Sequence, residues 1–233
     1  MSPKISDIII RGGTDINLFD SPLLLCRNSG LSFEQRLFKR IFDIVVSVIG
    51  LIILSPFMLI IAAAIKIDDG GSIIYKQKRL TINGKEFFVY KFRSMIPNAE
   101  KNGVPQLATG SDSRITRVGK FLRKCRLDEL PQLFNIIKGD MSVVGPRPER
   151  PELTEKYERE MPEFKFRLKV KAGLTGYAQV TGVYDTTPYD KLKMDLMYIE
   201  RYSMVMDLRI ILMTIKTMIS PGEMNSEADK EKY

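Results

Sequence analysis

The chain has 233 residues, 44% of them hydrophobic, which is enough for a folded domain with a core and too many for a disordered chain. A net charge of +8 and a pI near 9.4 point to an anionic partner: nucleic acid, anionic lipid or a phosphorylated substrate. There is no histidine and there are two cysteines, Cys26 and Cys125. That composition excludes a Ser-His-Asp triad, a His general base and His-ligated metals, and argues against a disulfide framework or zinc site. Any metal is expected to be a hard cation held by oxygen.

Residues 1–33 read as an N-terminal extension with turn signals at Gly12-Gly13 and Ser21-Pro22 and no assigned function. Residues 34–67 form the membrane element. From Ile44 to Ile65 the sequence IVVSVIGLIILSPFMLIIAAAI holds no charge over 22 residues. As a helix it would reach ~33 Å, enough to cross a bilayer core. Ser55 and Pro56 sit near its middle, where proline deletes a helix hydrogen bond. Both flanks are basic, with Arg36, Lys39 and Arg40 before the run and Lys66, Lys76, Lys78 and Arg79 after it. Basic flanks favour the cytoplasmic side. A broken helix that re-enters on one face and a single kinked crossing both fit, and a buried soluble helix fits less well.

IIYKQKRLTINGKEFFVYKFRSM predicts a β-hairpin turning at Asn83-Gly84. Residues 98–114 read as a polar loop. ITRVGKFLRKCRL predicts a short basic helix, with Arg114, Arg117, Lys120, Arg123, Lys124 and Arg126 at near-helical spacing. Such a face is usually solvated, but beside an apolar element it suits phosphates or anionic lipid.

In RLDELPQLFNIIKGDMSVVGPRPERPE, Asp128 and Glu129 are adjacent, so on a helix they would diverge by about 100°. The reading is that Asp128 caps a helix with Pro131 in its first turn and Gly139 at its end. PRPERP is stiff and would fix the directions of Arg147 and Arg150, suited to gripping phosphate oxygens. Lys91 and Arg93 at the end of the hairpin could add to that grip. Two carboxylates beside cations suggest Mg²⁺ shared with substrate phosphates. Taken alone, a capped helix with surface ion pairs explains the same residues. Further on, Glu152–Lys169 predicts an amphipathic helix and LKVKAGLTGYAQVTG predicts strand and turn. One or two helices are expected over Asp190–Ile219. The polar tail is 220–233.

Several segments together resemble the bacterial sugar transferases, the monotopic phosphoglycosyl transferases: KRIFDIVVSVIGLIILSPFMLI, GKEFFVYKFRSM, RITRVGKFLRKCRLDELPQLFNIIKGDMSVVGPRPERPE, LKVKAGLTGYAQVTG and YDKLKMDLMYIERYSMVMDLRIILMTI. They run in order from about residue 36 to 219, and the DELPQ, KGDMS and GPRP blocks are specific in combination. The resemblance implies an α+β monotopic membrane protein with an N-terminal re-entrant helix broken at Ser55-Pro56, a β-hairpin and several surface amphipathic helices. The catalytic domain would be 68–219, on the cytoplasmic face of the bacterial inner membrane.

The implied reaction moves a sugar 1-phosphate from a UDP-sugar to undecaprenyl phosphate and releases UMP, the first membrane step of polysaccharide or glycoconjugate synthesis. By the resemblance, Asp128 is the nucleophile that forms a covalent phosphosugar intermediate, and Glu129 supports metal or proton handling. Arg147 binds phosphate, joined by Lys91, Arg93 and Glu149. Mg²⁺ is the implied cofactor, with Asp128 and Glu129 as its ligands. Larger members carry transmembrane helices ahead of this region, so the chain resembles a catalytic unit. The AGLTGYAQVTG block looks like members that transfer glucose or galactose 1-phosphate. Implied partners are the UDP-sugar, undecaprenyl phosphate, inner-membrane lipids and downstream glycosyltransferases, with a homodimer left open. The alternative is a non-catalytic scaffold of a polysaccharide assembly complex. A nucleic-acid binder lacks any recognised motif.

Overall fold

A computed structural model describes residues 13–18, 21–26, 31–96, 99, 112–182 and 186–219, the first two segments as backbone only. The polar tail and most of the loop over 98–114 lie outside the described residues. Strands β1 (Gly13–Leu18) and β2 (Ser21–Cys26) pair antiparallel.

Helix α1 runs from Phe33 to Asp69, 37 residues. Ser32 starts it with a capping box: its hydroxyl accepts from the Gln35 N–H, and the Gln35 side chain accepts from the Ser32 N–H. Gly70, in the left-handed region, ends it. It is long and apolar enough to cross a membrane, with a mean hydropathy of 2.9 in its apolar stretch. The expected break at Ser55-Pro56 does not end the helix, which continues through both residues. One face of α1 nevertheless rests on the rest of the protein on both sides of Pro56. Asp43 and Ser47 are buried, and Leu51 and Leu54 pack on the main core. Met58, Ile61, Ala62 and Ile65 belong to a second apolar cluster. The opposite face, including Ile49, Ile52, Ile53, Phe57 and Ile60, is exposed.

Strands β3 (Ile74–Leu80) and β4 (Glu86–Phe92) form the expected hairpin. Asn83 and Gly84 both have positive φ, 58° and 72°, and Lys85 N–H donates to Ile82 O. That is a type I′ turn, which matches the twist of the strands it joins. Helix α2 (Arg117–Lys124) follows, capped by Thr116. It is shorter than the charge pattern suggested, leaving Arg114 and Arg126 outside. Helix α3 (Gln132–Lys138) ends at Gly139 with φ 97°. Arg40 of α1 donates to the carbonyls of Ile136 and Ile137, satisfying that helix end.

β5 (Met141–Val144) and β6 (Ala172–Thr175) pair in parallel. Between them lie α4 (Pro151–Glu160) and a 3₁₀ segment, Pro162–Lys169. The single helix expected over Glu152–Lys169 is therefore two elements. Pro162 drives Met161 to φ −141°, ψ 91°, out of the helical region. The AGLTGYAQVTG block is a strand followed by a short helix, α5 (Tyr177–Thr181), rather than strand and turn alone. Two helices close the fold, α6 (Pro188–Glu200) and α7 (Met204–Ile219).

The core gathers β4, α3, β5, β6 and α6 around Val89, Ile136, Met141, Val144, Leu192 and Tyr198. Buried polar bonds tie α1 to it. Lys39 Nζ lies 2.6 Å from Asp207, which also accepts from Tyr198 at 2.7 Å. Asp43 accepts from Ser142 Oγ and Val143 N–H. Each of these buried charges is paired or hydrogen-bonded, as burial demands.

Candidate active site

The two acids do not cap a helix. Asp128 and Glu129 lie in a 3₁₀ turn, Leu127–Glu129, and α3 begins later, with Pro131 at its cap position and no side-chain cap. The cap reading fails because Arg126 takes φ 55° and turns the chain sharply first. That left-handed conformation costs on the order of 1–2 kcal/mol for a residue with a Cβ. Apolar anchors on each side hold the turn: Leu127 and Leu130 join the cluster of Ile61, Ile65, Phe92 and Leu122. The acid pair is thus seated beside the second half of α1.

Glu129 is the charge centre of the site. Its Oε1 lies 2.7 Å from Lys91 Nζ and 3.0 Å from Arg147 Nη2. Burial alone would raise its pKa, but Arg147 and Lys91 outweigh burial and hold it at about 2. Asp128 is shifted the other way. Burial pushes its carboxyl up, Lys91 partly offsets that, and the Glu129 charge adds to the rise. Burial also lowers the Lys91 ammonium, with Glu129 opposing. Adjacent acids are thus driven apart, one firmly ionised and one poised.

Strand parity explains Lys91. In the β3–β4 register Lys91 faces Tyr75 and Phe87 faces Arg79, so Arg79, Val89 and Lys91 share one face. That face, with Glu129, Gln132, Arg147 and Pro148, lines a shallow open cleft. Arg79 and Gln132 were absent from the sequence candidates. Arg79 was legible as the same-parity cross-strand neighbour of Lys91's face. Gln132 was not, because its burial depends on how α3 docks. Asn135 sets that docking: it accepts from Tyr90 N–H at 2.9 Å and donates to Phe88 O at 2.8 Å.

The other candidates divide. Arg147 reaches the site, with its side chain 44% exposed. Glu149 lies behind it, 3.8 Å from Arg79. Arg93 is not brought to the acids. It lies past the end of β4, where its guanidinium pairs with Asp69 at the end of α1 and covers Gly71. Arg150 sits at the start of α4. Ser55 and Pro56 lie within α1, away from this cleft.

Among the described residues no group of three or more Asp, Glu, Cys or His side chains could cage a metal. Two adjacent carboxylates still suit Mg²⁺, which takes one or two carboxylates and completes its octahedron with water and phosphate. Glu129 Oε1 is already engaged by Lys91 and Arg147, so Asp128 and the second Glu129 oxygen are the carboxylate atoms that could meet an ion arriving with a phosphorylated substrate.

A family model described as bacterial sugar transferase matches residues 34–221. The chain is 42% identical over 185 residues to the UDP-N-acetylgalactosamine-undecaprenyl-phosphate N-acetylgalactosaminephosphotransferase of Aeromonas hydrophila, covering 78% of this chain and 44% of that protein. It is 43% identical over 211 residues to the UDP-glucose:undecaprenyl-phosphate glucose-1-phosphate transferase of Klebsiella pneumoniae, covering 88% and 43%. Against the exopolysaccharide production protein PSS of Rhizobium leguminosarum bv. phaseoli, identity is 40% over 194 residues, covering 79% and 96%. The chain thus spans less than half the length of the first two relatives.

Proposed function

The chain belongs to the bacterial sugar transferase family, and on that premise we propose that it transfers a sugar 1-phosphate from a UDP-sugar to undecaprenyl phosphate. The observation that carries the reading is the convergence of Lys91 and Arg147 on Glu129, directly beside Asp128. A half-buried acid next to a fixed cationic pair is suited to attack on a phosphate.

In the proposed sequence the Asp128 carboxylate attacks the phosphorus that bears the sugar. The bond from that phosphorus to the bridging oxygen breaks, and UMP leaves with the oxygen. The sugar phosphate is then held as an acyl phosphate on Asp128. A phosphate oxygen of the lipid acceptor attacks the same phosphorus and frees Asp128, giving ping-pong kinetics. Arg147, with Lys91 and Arg79, neutralises phosphate charge, and Glu129 holds Lys91 and Arg147 in place. Mg²⁺, held by Asp128 and Glu129, would supply further charge neutralisation.

We place the site at the cytoplasmic face of the bacterial inner membrane, with α1 as a re-entrant element. Support comes from the packing of α1 on one body on both sides of Pro56. A crossing helix would carry its two ends to opposite faces. The Leu127 and Leu130 anchors also set the acids beside the apolar helix, where a lipid phosphate would arrive. For the donor we favour a hexose such as glucose or galactose, on the AGLTGYAQVTG block. The named relatives include an N-acetylgalactosamine enzyme as well as a glucose enzyme, so both sugar classes belong in the test.

The test incubates purified protein with Mg²⁺, undecaprenyl phosphate and a panel of UDP-sugars and measures UMP. Release with one sugar, lost in Asp128→Asn, is the expected result. UMP release by Asp128→Asn near the wild-type rate would remove Asp128 as nucleophile. A folded protein silent with every sugar would count against the transferase reading.

A further inference from the structure

Residues Gly145 to Glu149 carry Arg147 into the cleft, and each is held through its backbone. Gly145 N–H donates to Thr175 O at 2.9 Å, and the Pro146 carbonyl accepts from Gly173 N–H at 2.9 Å. The Arg147 carbonyl accepts from Arg167 Nη2 at 3.1 Å, and the Pro148 carbonyl from Arg79 Nη1 at 3.1 Å. The Glu149 carbonyl accepts from Leu80 N–H at 3.0 Å. Pro146 and Pro148 have no N–H, so the segment depends on outside partners to fix it.

Arg167 stands apart among these partners. Like Thr175, Gly173 and Leu80 it does not line the cleft that holds Lys91, Glu129 and Arg147, but it lines the adjoining pocket with Arg147, Pro148 and Glu149, and its side chain is itself locked. Its Nε donates to Asp195 Oδ2 at 2.6 Å, and both side chains are buried, 8% and 2% exposed. Its guanidinium lies over the Phe164 ring, 4.7 Å from the centroid. So one face of the fork is fixed on α6 and the other holds the backbone of the residue whose side chain meets Glu129.

We propose that Arg167, locked by Asp195, is a positioning residue for Arg147: it fixes the Arg147 carbonyl and thereby aims the Arg147 guanidinium at the donor's phosphates. The inference rests on the transferase reading of the site. It requires a guanidinium, because only a planar fork can serve both partners in these directions at once. A lysine keeps the charge beside Asp195 but offers a single ammonium. Loss of the cation altogether would leave Asp195 buried without a partner and endanger the fold. Arg167→Lys is therefore the informative variant.

The experiment is a double-mutant cycle on UMP release with wild type, Arg147→Ala, Arg167→Lys and the double variant, with KM and kcat separated and melting temperatures recorded. Arg167→Lys is expected to lower kcat/KM at least about tenfold, since small misplacement of a positioning group is costly. In the Arg147→Ala background the same change is expected to cost less than about twofold, since its effect would run through Arg147. UDP-induced thermal shifts should follow the same pattern. Equal losses in both backgrounds would overturn the positioning role and leave the transferase reading intact. A wild type that releases no UMP and gains no stability from UDP would sink that reading, and the positioning role with it.

Discussion

Ser55 donates its hydroxyl to the carbonyl of Ile52 at 3.0 Å, and Ile52 is the residue whose carbonyl Pro56 cannot reach with an N–H. The serine therefore satisfies the acceptor that its neighbouring proline leaves open, inside a helix whose outer face is exposed and apolar. An unsatisfied carbonyl in hydrocarbon would cost several kcal/mol, so on the proposed membrane placement of α1 the serine bond is what would let lipid tolerate the proline. Pro56→Ala restores the N–H and, on the re-entrant reading, should favour a straight helix. With Glu34→Cys and Ile67→Cys as reporters, both ends of α1 should label from one side in the parent protein. Pro56→Ala should send the Ile67 end towards the other side. Labelling unchanged by Pro56→Ala would deny the proline that role.

The two acids should separate in their pH behaviour. On the proposed mechanism Asp128 attacks as a carboxylate, so activity should be present above its folded pKa and lost as pH falls through it. Burial raises that pKa, so the acid limb of kcat/KM should lie above the ordinary aspartate value of 3.8. Glu129, held at about 2, stays ionised throughout the working range and adds no limb there. Its depressed pKa stabilises the fold above its ordinary 4.5, on the order of 3 kcal/mol, and that contribution is lost as pH falls through about 2. Glu129→Gln removes a neighbouring negative charge and releases Lys91 towards Asp128, so it should move the activity limb to lower pH. A wild-type limb at or below the ordinary aspartate value would contradict this assignment.

Gln132 is buried at the first position of α3 and lines the cleft with Lys91, Glu129 and Arg147. Asn135, one turn on, bonds β4 with its amide; Gln132 makes no such bond among the described residues. Its amide is thus available to a phosphate oxygen. Gln132→Leu keeps the volume and removes the donor. It should raise KM for the UDP-sugar about tenfold, the size of a hydrogen bond to a charged group, with little change in melting temperature. An unaltered KM would show that the amide does not meet substrate.

Gly173 passes so close to Gly145 that an added Cβ would lie 2.1 Å from the Gly145 nitrogen and 2.4 Å from Thr175 O. Those are backbone atoms and cannot swing aside. Gly173→Ala should therefore cost about 1–3 kcal/mol of stability and shift the segment that carries Arg147. Calorimetry should show a lowered melting temperature, and UMP release should fall even where the protein stays folded. Wild-type turnover in this variant would mean that the β5–β6 contact does not set the Arg147 position.

The sequence by itself determined the features that depend on a few neighbouring residues. Ser32 and Gln35 start α1, Asn83-Gly84 turns the hairpin, and Gly139 ends α3, because capping and positive-φ chemistry act within one turn of chain. It also marked Asp128, Glu129, Lys91 and Arg147 as a set, through motif blocks that resemble a known family. Only the tertiary structure decided what these residues meet. Arg93, two positions from Lys91, turns to Asp69 because the strand ends between them. Asp128 leaves its cap position because Leu127 and Leu130 are drawn into a cluster with Ile61 and Ile65. Arg167 and Asp195, far apart in the chain, meet because α6 packs against the 3₁₀ segment. Apolar burial is non-directional in sequence and charge reaches across any distance the fold closes, so such pairings are written in the packing and not in any short stretch of residues.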